Sequence, residues 1–510
     1  MSMRDKSRRR FLSGLGAAGA VAAAAGCDPR APAGRREVRQ WDYTADVVVA
    51  GSGAAGASAA IEARAAGAEV LILERLPKTG GSSAMSGGVC YLGGGTPLQK
   101  ALGFEDSVEA MRDFMLAAGA LHPTKDKIEL YCERSLEHFD WLVAHGVKYA
   151  QKFSESKELP FDGASLYYSG SELAAPWRDI ARPAPRGHVP TTAGHTGGRT
   201  LMEALLPSAE SAGVKTLHGV SAERLVREDD GRIVGLLAQQ GDKTIAVRAR
   251  RGVVLACGGF IQNREMLKRY APELYDCSVP WASAGDMGIG IRMGMGVGAA
   301  AIRMHQGFAI LPLYPPERTI HGIVVNRAAQ RFLPEDSYYA YAGHETAYNQ
   351  HGVAYLVTDA DSSYDDGDFR MPLLAEAASV SELERAGGFA EGALQQTVEF
   401  YNRHAERSVD PLWHKHPKWV TPLAKPPFRL YDLSVRSAFC PAHTFGGLET
   451  TVRAEVLDAG GERIPGLYAA GRTTAGMPNA PYIASGVSIG DCSFFGRQAG
   501  IHAAKEEVAA

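Results

Sequence analysis

A glycine-rich turn near the start of the chain constrains the fold more than any other feature. The stretch ADVVVAGSGAAGASAAIEARAAGAEVLILER (residues 45–75) contains a short apolar run, the pattern Gly51-x-Gly53-x-x-Gly56, an alanine-rich helical pattern, a second apolar run and the acid Glu74. This order predicts a buried parallel strand, a tight turn, a helix and a second strand. In such a unit the first glycine makes the turn, the second lets a pyrophosphate approach the backbone, and the third lets helix and strand pack closely. The helix N-terminus can bind phosphates and the acid can accept ribose hydroxyls, so the sequence predicts a dinucleotide site.

A second loop rich in glycine and serine indicates which dinucleotide to expect. KTGGSSAMSGG (residues 78–88) follows the second strand. Its backbone and hydroxyl groups can run along an extended cofactor and bond to its phosphates and ribityl chain, whereas a plain NAD domain has no need of such a loop. Two later buried-strand patterns also end in small residues, RGVVLACGGFIQN (251–263) and IPGLYAAGR (464–472). The sequence therefore favours FAD over NAD.

These stretches together resemble the flavoprotein superfamily of fumarate reductase and succinate dehydrogenase. The similarity runs from about residue 45 to 505, and it also includes the motifs IVVNRAAQRF (323–332), HTFGG (443–447) and SGVSIGDCSFFGRQAG (485–500). The resemblance implies an α/β fold in which a Rossmann-like FAD-binding domain, residues 42–275 and 440–510, is interrupted by an α+β capping domain, residues 276–439. The active site is then expected between the two domains.

The resemblance also implies that FAD is bound non-covalently, because the GGSSAMSGG loop has no histidine where covalently flavinylated relatives carry one. No metal-binding spacing of cysteine or histidine occurs. The residues expected to bind FAD are Gly51, Ser52, Gly53, Ala54, Ala55, Gly56, Glu74, Arg75, Gly80, Gly81, Ser82, Ser83, Ser86, Gly87, Gly88, Val220, Cys257, Gly258, Gly471, Arg472, Gly486, Val487, Ser488 and Ile489.

The positions at which dicarboxylate reducers carry two arginines hold other residues here. One position falls on Tyr339 and the other lies in NAPYIASG (479–486), which contains Tyr482. A dicarboxylate without guanidinium partners would be poorly held, so fumarate chemistry is not expected. The tyrosines instead resemble those of bacterial 3-ketosteroid dehydrogenases, most closely the Δ4-(5α) type, through EDSYY (335–339) and the Tyr…Ser-Gly step before the last helix.

This resemblance implies dehydrogenation of a CH–CH bond next to a ketone, with hydride transfer to FAD. The expected catalytic residues are Tyr482 as proton acceptor, Ser485 as a relaying or orienting group, and Tyr338 or Tyr339 as an assisting phenol. One residue more separates Tyr482 from Ser485 than in the Tyr-x-Ser pattern of that type, which leaves their pairing open.

Two other functions stay open at this point. One is an exported reductase that adds hydrogen to an activated alkene other than a dicarboxylate, and the other is a non-enzymatic FAD-binding protein. No haem motif or iron–sulfur spacing is present, so electrons are expected to pass to or from a separate carrier. The net charge of −3 gives no indication of a nucleic-acid partner.

The first residues predict a targeting signal rather than part of the fold. SRRRFLSGLGAAGAVAAAAGC (residues 7–27) has an arginine cluster followed by a mildly apolar run, as twin-arginine export signals do. Residues 1–27 are therefore expected to direct export to the periplasm or cell envelope, and residues 28–41 to form a linker. AAGC loosely resembles a lipoprotein cleavage box, which makes Cys27 a candidate for lipid attachment.

Overall fold

The unit predicted around the three glycines lies at the centre of the fold. The computed structural model describes residues 38, 40–117, 124–160, 162–192, 196–314, 316–364 and 370–508. Within it, the strand Tyr43–Ala50 pairs in parallel with Val70–Glu74 on one side and Lys243–Leu255 on the other. Val47, Val48 and Val49 are fully buried, as expected for an apolar run at the centre of a parallel sheet.

The strands belong to one large sheet and several smaller ones. In chain order they are β1 (Tyr43–Ala50), β2 (Val70–Glu74), β3 (Cys90–Tyr91), β4 (Phe153–Ser154), β5 (Leu166–Tyr167), β6 (Gly187–His188), β7 (Lys215–His218), β8 (Val220–Arg227), β9 (Ile233–Gln240), β10 (Lys243–Leu255), β11 (Val279–Pro280), β12 (Ala301–Ile302), β13 (Gly307–Ala309), β14 (Ile323–Val325), β15 (Tyr355–Thr358), β16 (Leu373–Ala377), β17 (Phe428–Asp432), β18 (Pro441–Thr444), β19 (Gly447–Leu448), β20 (Glu455–Leu457) and β21 (Arg463–Ala469).

The large sheet has the order β20-β21-β10-β1-β2-β7, and β8 and β9 continue from β10. The strands β21, β10, β1, β2 and β7 are parallel, so their carboxyl ends meet at one edge, where open α/β sheets bind ligands. Strands β8 and β9 pair antiparallel as a hairpin. The mixed α/β fold predicted from the sequence is thus confirmed.

The helices frame this sheet and the smaller ones. The α-helices are α1 (Ala54–Ala65), α2 (Pro97–Ala101), α3 (Val108–Leu116), α4 (Thr124–Glu133), α5 (Ser135–Ala144), α6 (Trp177–Ile180), α7 (Gly197–Ser211), α8 (Arg264–Tyr270), α9 (Pro272–Tyr275), α10 (Ile289–Met295), α11 (Tyr339–His344), α12 (Val380–Ala386), α13 (Ala393–Ala405) and α14 (Val487–Lys505). Short 3₁₀ turns cover Gly81–Met85, Glu317–His321, Pro417–Trp419 and Gly471–Thr473, and a π-helical turn covers Glu345–Asn349. Among the described residues, no helix is long and apolar enough to cross a membrane.

The small residues of the last helix allow it to touch α1 backbone to backbone. A Cβ atom on Gly496 would lie 2.4 Å from the carbonyl oxygen of Ala55, and one on Gly500 would lie 2.1 Å from that of Ala59. These distances leave no room for a side chain, so the glycines of α14 are required by helix packing. This contact fixes α14, whose first turn carries part of the candidate site.

The predicted capping segment contains a sheet of its own. Strands β14, β15, β17 and β16 pair antiparallel in that order, and all lie within residues 276–439. Residues Trp41–Ala510 group into one compact unit, so the boundaries at 276 and 439 stay predictions. The predicted signal at 1–27, including Cys27, lies outside the described residues.

Candidate active site

A long cleft lies at the carboxyl ends of the parallel strands. Its empty space, counted to the open mouth, is about 800 Å³, and its walls include the residues that end or follow β1, β2, β10 and β21. Fifteen of the predicted FAD-binding residues line it: Gly51, Ser52, Gly53, Ala54, Ala55, Glu74, Arg75, Gly81, Ser82, Ser83, Val220, Cys257, Gly258, Gly471 and Arg472.

The three glycines of the turn have different steric tasks. Gly51 has φ +106°, and a Cβ there would lie 2.3 Å from the carbonyl oxygen of Ala256. A Cβ on Gly56 would lie 1.9 Å from the carbonyl oxygen of Gly51, so both positions are required by the fold. At Gly53 the nearest protein atom to such a Cβ is Ser83 Oγ, at 3.4 Å. The free space beside Gly53 belongs to the cleft and suits the close approach of a pyrophosphate.

The acid at the end of β2 is held in place for a ligand. The Ser52 N–H donates to Glu74 Oε2 at 3.0 Å and the Leu76 N–H donates to Glu74 Oε1 at 2.8 Å. Ser83 Oγ accepts from the Ala54 N–H at 3.0 Å, which links the serine-rich loop to the first turn of α1. The carboxylate is therefore fixed at the end of β2, where the sequence predicted an acid for a ribose.

One charged residue among those described in the cleft was not predicted from the sequence. Asp286 accepts hydrogen bonds from the N–H groups of Gly259 and Ile261 and from Arg472 Nη2 at 2.7 Å. Among the described residues, the buried Arg472 Nη1 has no hydrogen-bond partner, which leaves a cationic donor at the cleft. FAD fits this cleft, because its phosphates and ribityl hydroxyls need such partners as the open side of Gly53, the Glu74 carboxylate and the Arg472 guanidinium. The sequence did contain a signal for Asp286, namely an acid among small residues in SAGDMG (283–288). Those residues lie in the predicted capping domain, where no FAD-binding residue was expected.

Nine predicted FAD-binding residues do not line this cleft. Gly88 packs against the start of α7, because a Cβ there would lie 2.2 Å from the carbonyl carbon of Gly197. The Gly198 N–H donates to Ser86 O at 3.0 Å, so this loop anchors α7. The nine residues are Gly56, Gly80, Ser86, Gly87, Gly88, Gly486, Val487, Ser488 and Ile489.

The predicted catalytic tyrosines come together although two lie near α11 and the third near α14. The rings of Tyr338 and Tyr482 are 6.1 Å apart between centroids, and those of Tyr338 and Tyr339 are 4.2 Å apart. Phe308 and Phe445 flank Tyr482, with centroids at 5.4 and 5.2 Å. The result is an aromatic cluster that carries phenol groups, which suits an apolar ketone better than a dianion.

Two hydrogen bonds show which tyrosine pairs with Ser485, a question that the sequence left open. Tyr338 Oη donates to Ser485 Oγ at 3.0 Å, so the serine pairs with the tyrosine from the predicted cap. Tyr482 Oη instead accepts from the Ser488 N–H, at 2.8 Å, in the first turn of α14. Ser488 was expected to bind FAD, but its N–H donates to Tyr482.

A segment far away in the sequence holds Ser485 in position. The Ser485 N–H donates to Ser169 O and the Ser171 N–H donates to Ile483 O, both at 2.9 Å. Ser171 Oγ also accepts from the Tyr338 N–H at 2.9 Å. A Cβ on Gly170 would lie 2.3 Å from Ile483 O, so the two segments touch backbone to backbone. Residues 169–171 thus fix both members of the Tyr338–Ser485 pair, a role that no sequence pattern indicated.

Burial controls the ionisation of the phenols. Desolvation raises the pKa of Tyr482, and the hydrogen bond from Ser488 opposes that rise in pKa. Desolvation also raises the pKa of Tyr338 and Tyr339. A phenolate on Tyr482 would therefore be stabilised by the Ser488 N–H at the N-terminus of α14.

Nearby basic side chains are engaged elsewhere. Arg303 Nη2 donates to Gly476 O at 2.5 Å, and Arg472 is bound to Asp286. The His443 ring stacks on Phe308 with centroids 4.4 Å apart, and burial lowers its pKa well below the usual range. His443 is therefore neutral, and the two guanidinium groups already hold partners within the protein.

Comparison with known proteins agrees with the predicted cofactor. A family model for an FAD binding domain matches residues 46–489. The crystal structure of 3-ketosteroid-Δ4-(5α)-dehydrogenase from Rhodococcus jostii RHA1 in complex with 4-androstene-3,17-dione is 46% identical, with a TM-score of 0.86 over 92% of this chain and 98% of that one. The 3-oxo-5-alpha-steroid 4-dehydrogenase of Comamonas testosteroni is 29% identical over 85% of this chain and 93% of its own. The vinyl phenol reductase of Lactiplantibacillus plantarum is 27% identical over 90% of this chain and 96% of its own.

Proposed function

The chain belongs to the FAD-binding family that its sequence matches, and on that premise we propose that it dehydrogenates a 3-ketosteroid at the CH–CH bond beside the ketone. The observation that carries the proposal is the aromatic cluster formed by Tyr338, Tyr339 and Tyr482, in which hydroxyl groups take the place of guanidinium groups. Similarity to a structure that holds a 3-ketosteroid supports the substrate class. FAD, when bound, supplies the acceptor for the hydride.

Tyr482 removes the proton from the carbon next to the ketone. Its Oη is held by the Ser488 N–H at 2.8 Å, so the negative charge that develops on the phenol lies at the N-terminus of a 19-residue helix. The aromatic side chains of Phe308 and Phe445 beside it keep water away from this proton.

The Tyr338–Ser485 pair stabilises the ketone oxygen as it gains charge. Ser485 Oγ accepts the hydrogen bond from Tyr338 Oη, which leaves the serine's own O–H free to donate a hydrogen bond to the enolate oxygen. Tyr339 packs against Tyr338 and restricts its ring. The two phenols therefore have different tasks: Tyr482 accepts a proton and Tyr338 polarises the serine.

A double substitution tests this pair. Tyr338→Phe and Ser485→Ala are each expected to slow substrate-dependent flavin bleaching about 10- to 100-fold, the range for loss of a buried hydrogen bond to a charged group. The double variant should be little slower than either single variant, because both changes break the same unit. Tyr43→Phe, at a partly exposed position, provides the control. Strictly additive losses would show that the two residues act separately.

The substrate class is tested by anaerobic mixing. Purified yellow protein should bleach with 5α-androstane-3,17-dione, and the product should be the corresponding 4-ene steroid. A panel of 3-ketosteroids that leaves the flavin oxidised would refute the proposed dehydrogenation.

Alkene reduction is the second candidate, because one of the relatives is a reductase of a vinyl phenol. In that direction Tyr482 donates its proton to the substrate instead of accepting one. Reoxidation of the dithionite-reduced protein by an enone or enoate, without bleaching of the oxidised protein by any saturated ketone, would favour this function.

Our proposals for the electron acceptor and for the cellular location both rest on the sequence. We propose that electrons leave to an external acceptor, since the sequence carries no haem motif, and the described residues contain no cluster of three metal-ligating side chains. Export by the twin-arginine-type segment at residues 7–27, with lipid on Cys27, is tested by fractionating cells that express the full chain and a variant with both Arg8 and Arg9 replaced by Lys. Loss of the protein from the envelope fraction is expected for that variant alone.

A further inference from the structure

A buried lysine that the proposed mechanism does not use lies beside the segments that hold the Tyr338–Ser485 pair. Lys157 follows β4 and is 8% exposed, and it does not line the cleft that fits FAD. Its Nζ donates to Asp336 O at 2.6 Å and to Gly170 O at 3.4 Å. Lys157 and Gly170 belong to the predicted FAD-binding domain and Asp336 to the predicted capping domain, so the ammonium group joins a segment of each.

One of the two carbonyl groups lies two residues before Tyr338. The Tyr338 N–H donates to Ser171 Oγ at 2.9 Å. The main chain of residues 336–338 is therefore bound twice to the predicted FAD-binding domain, once by Lys157 and once by Ser171. Without the ammonium group it would keep only one of these two bonds.

The other carbonyl group belongs to the segment that holds Ser485. Ser169 O accepts from the Ser485 N–H at 2.9 Å, and Ser169 Oγ donates to Ser485 O at 3.0 Å. The next residue, Gly170, forms an antiparallel bridge with Ala484. Lys157 thus binds the supports of both members of the pair.

Two buried acids near Lys157 favour its charged form. Burial lowers the pKa of Lys157, and the carboxylates of Asp336 and Glu172 oppose this fall in pKa. Asp336 Oδ1 and Glu172 Oε1 have no hydrogen-bond partner among the described residues. An ammonium group carries three N–H donors, so it can bind both carbonyl groups while its charge compensates nearby carboxylates.

We propose that Lys157 is a positioning residue, whose ammonium group keeps Tyr338 Oη at hydrogen-bonding distance from Ser485 Oγ by binding the main chain that supports each of them. The inference rests on the proposed dehydrogenation, in which this pair stabilises the charge on the ketone oxygen. A displacement of about 1 Å in such a pair can slow the chemical step on the order of 100-fold, so a residue outside the reacting groups can control the rate.

A substitution series measures this effect with 5α-androstane-3,17-dione. Lys157→Met keeps a side chain of similar length without the ammonium group, and it should slow flavin bleaching at saturating steroid at least about 10-fold. The loss should lie in kcat with little change in KM, because the steroid's apolar contacts are kept. Lys157→Arg, which keeps the charge and the N–H donors, should recover part of the rate. Lys152→Met, at an exposed ion pair in the same segment, should bleach at the wild-type rate.

A double variant distinguishes positioning from general stability. In protein that already carries Ser485→Ala, Lys157→Met should slow bleaching by less than about 2-fold more, because the pair that it positions is already broken. A lysine that only stabilises the fold would lower the rate by the same factor in both backgrounds. Thermal unfolding of each variant is measured in parallel, and Lys157→Gln, which keeps an N–H donor, replaces Lys157→Met in the same cycle if the latter loses its flavin.

The bleaching rates distinguish failure of the inference from failure of the proposed function. If the wild-type protein bleaches and Lys157→Met bleaches as fast, or is slowed by the same factor with and without Ser485→Ala, the inference is wrong and the proposed function stands. If the wild-type protein bleaches with no 3-ketosteroid, the proposed function fails and the inference fails with it.

Discussion

Replacing Tyr482 with phenylalanine is expected to slow bleaching of the flavin by substrate at least about 100-fold, the lower range for loss of a general base. The protein should remain yellow, because Tyr482 lies among Phe308, Phe445 and Tyr338 and is absent from the walls of the cleft that fits FAD. The ring stays in the variant, so packing is preserved, and only the oxygen that accepts the Ser488 N–H is removed. Stopped-flow absorbance under anaerobic conditions measures the effect in a single turnover.

Tyr468→Phe is a matched control for this prediction. Tyr468 is also buried, and its hydroxyl also has a hydrogen-bond partner, Glu506, but it lies on β21 in the large sheet. Its loss should change thermal stability without changing the bleaching rate per flavin. If Tyr482→Phe bleaches as fast as Tyr468→Phe, the proton is taken by another group and the assigned role of Tyr482 is wrong.

The pH dependence of the same reaction gives an independent check. Burial raises the pKa of Tyr482 above the ordinary value of about 10 for a phenol. The ionised fraction therefore increases with pH over the whole neutral and mildly alkaline range, and the bleaching rate should rise with it and reach no plateau below about pH 10. In Tyr482→Phe this rise should disappear, which a merely structural role for the residue would not produce.

The sequence predicted the parts of the site that depend on local pattern. Gly51, Gly53, Gly56 and Glu74 take their positions from one continuous strand–turn–helix–strand unit, so their spacing alone was sufficient. The tyrosines were found through a family resemblance, and in the structure their ring centroids lie 4.2 Å (Tyr338–Tyr339) and 6.1 Å (Tyr338–Tyr482) apart.

Other parts depend on contacts between distant segments and could not be predicted in this way. Tyr338 and Ser485 are 147 residues apart, and both are held by the segment Ser169–Ser171, which no motif marks. Asp286 reaches the cleft from the segment that the sequence assigned to the cap.

Replacing Gly53 with valine is expected to give a folded but colourless protein. Gly53 has φ −69° and ψ −174°, an extended conformation that valine readily adopts. A Cβ there would be 3.4 Å from Ser83 Oγ and 3.9 Å from Gly80 O, so the protein itself has room for it. The added methyl groups would occupy the space beside the first turn of α1, where the cofactor's phosphates need the backbone N–H groups. Loss of two such hydrogen bonds should weaken FAD binding at least about 100-fold.

Gly56→Ala separates this effect from general damage to the turn. A Cβ on Gly56 would lie 1.9 Å from Gly51 O, a distance that requires α1 to move away from β1. We therefore expect Gly56→Ala to lose secondary structure and cofactor together, and Gly53→Val to lose the cofactor while its far-ultraviolet circular dichroism stays close to that of wild-type apoprotein. The ratio of flavin to protein absorbance, and titration of each apoprotein with FAD, distinguish the two outcomes. A yellow Gly53→Val protein would mean that the pyrophosphate does not pass this glycine, and the cleft would then have to bind its dinucleotide along another path.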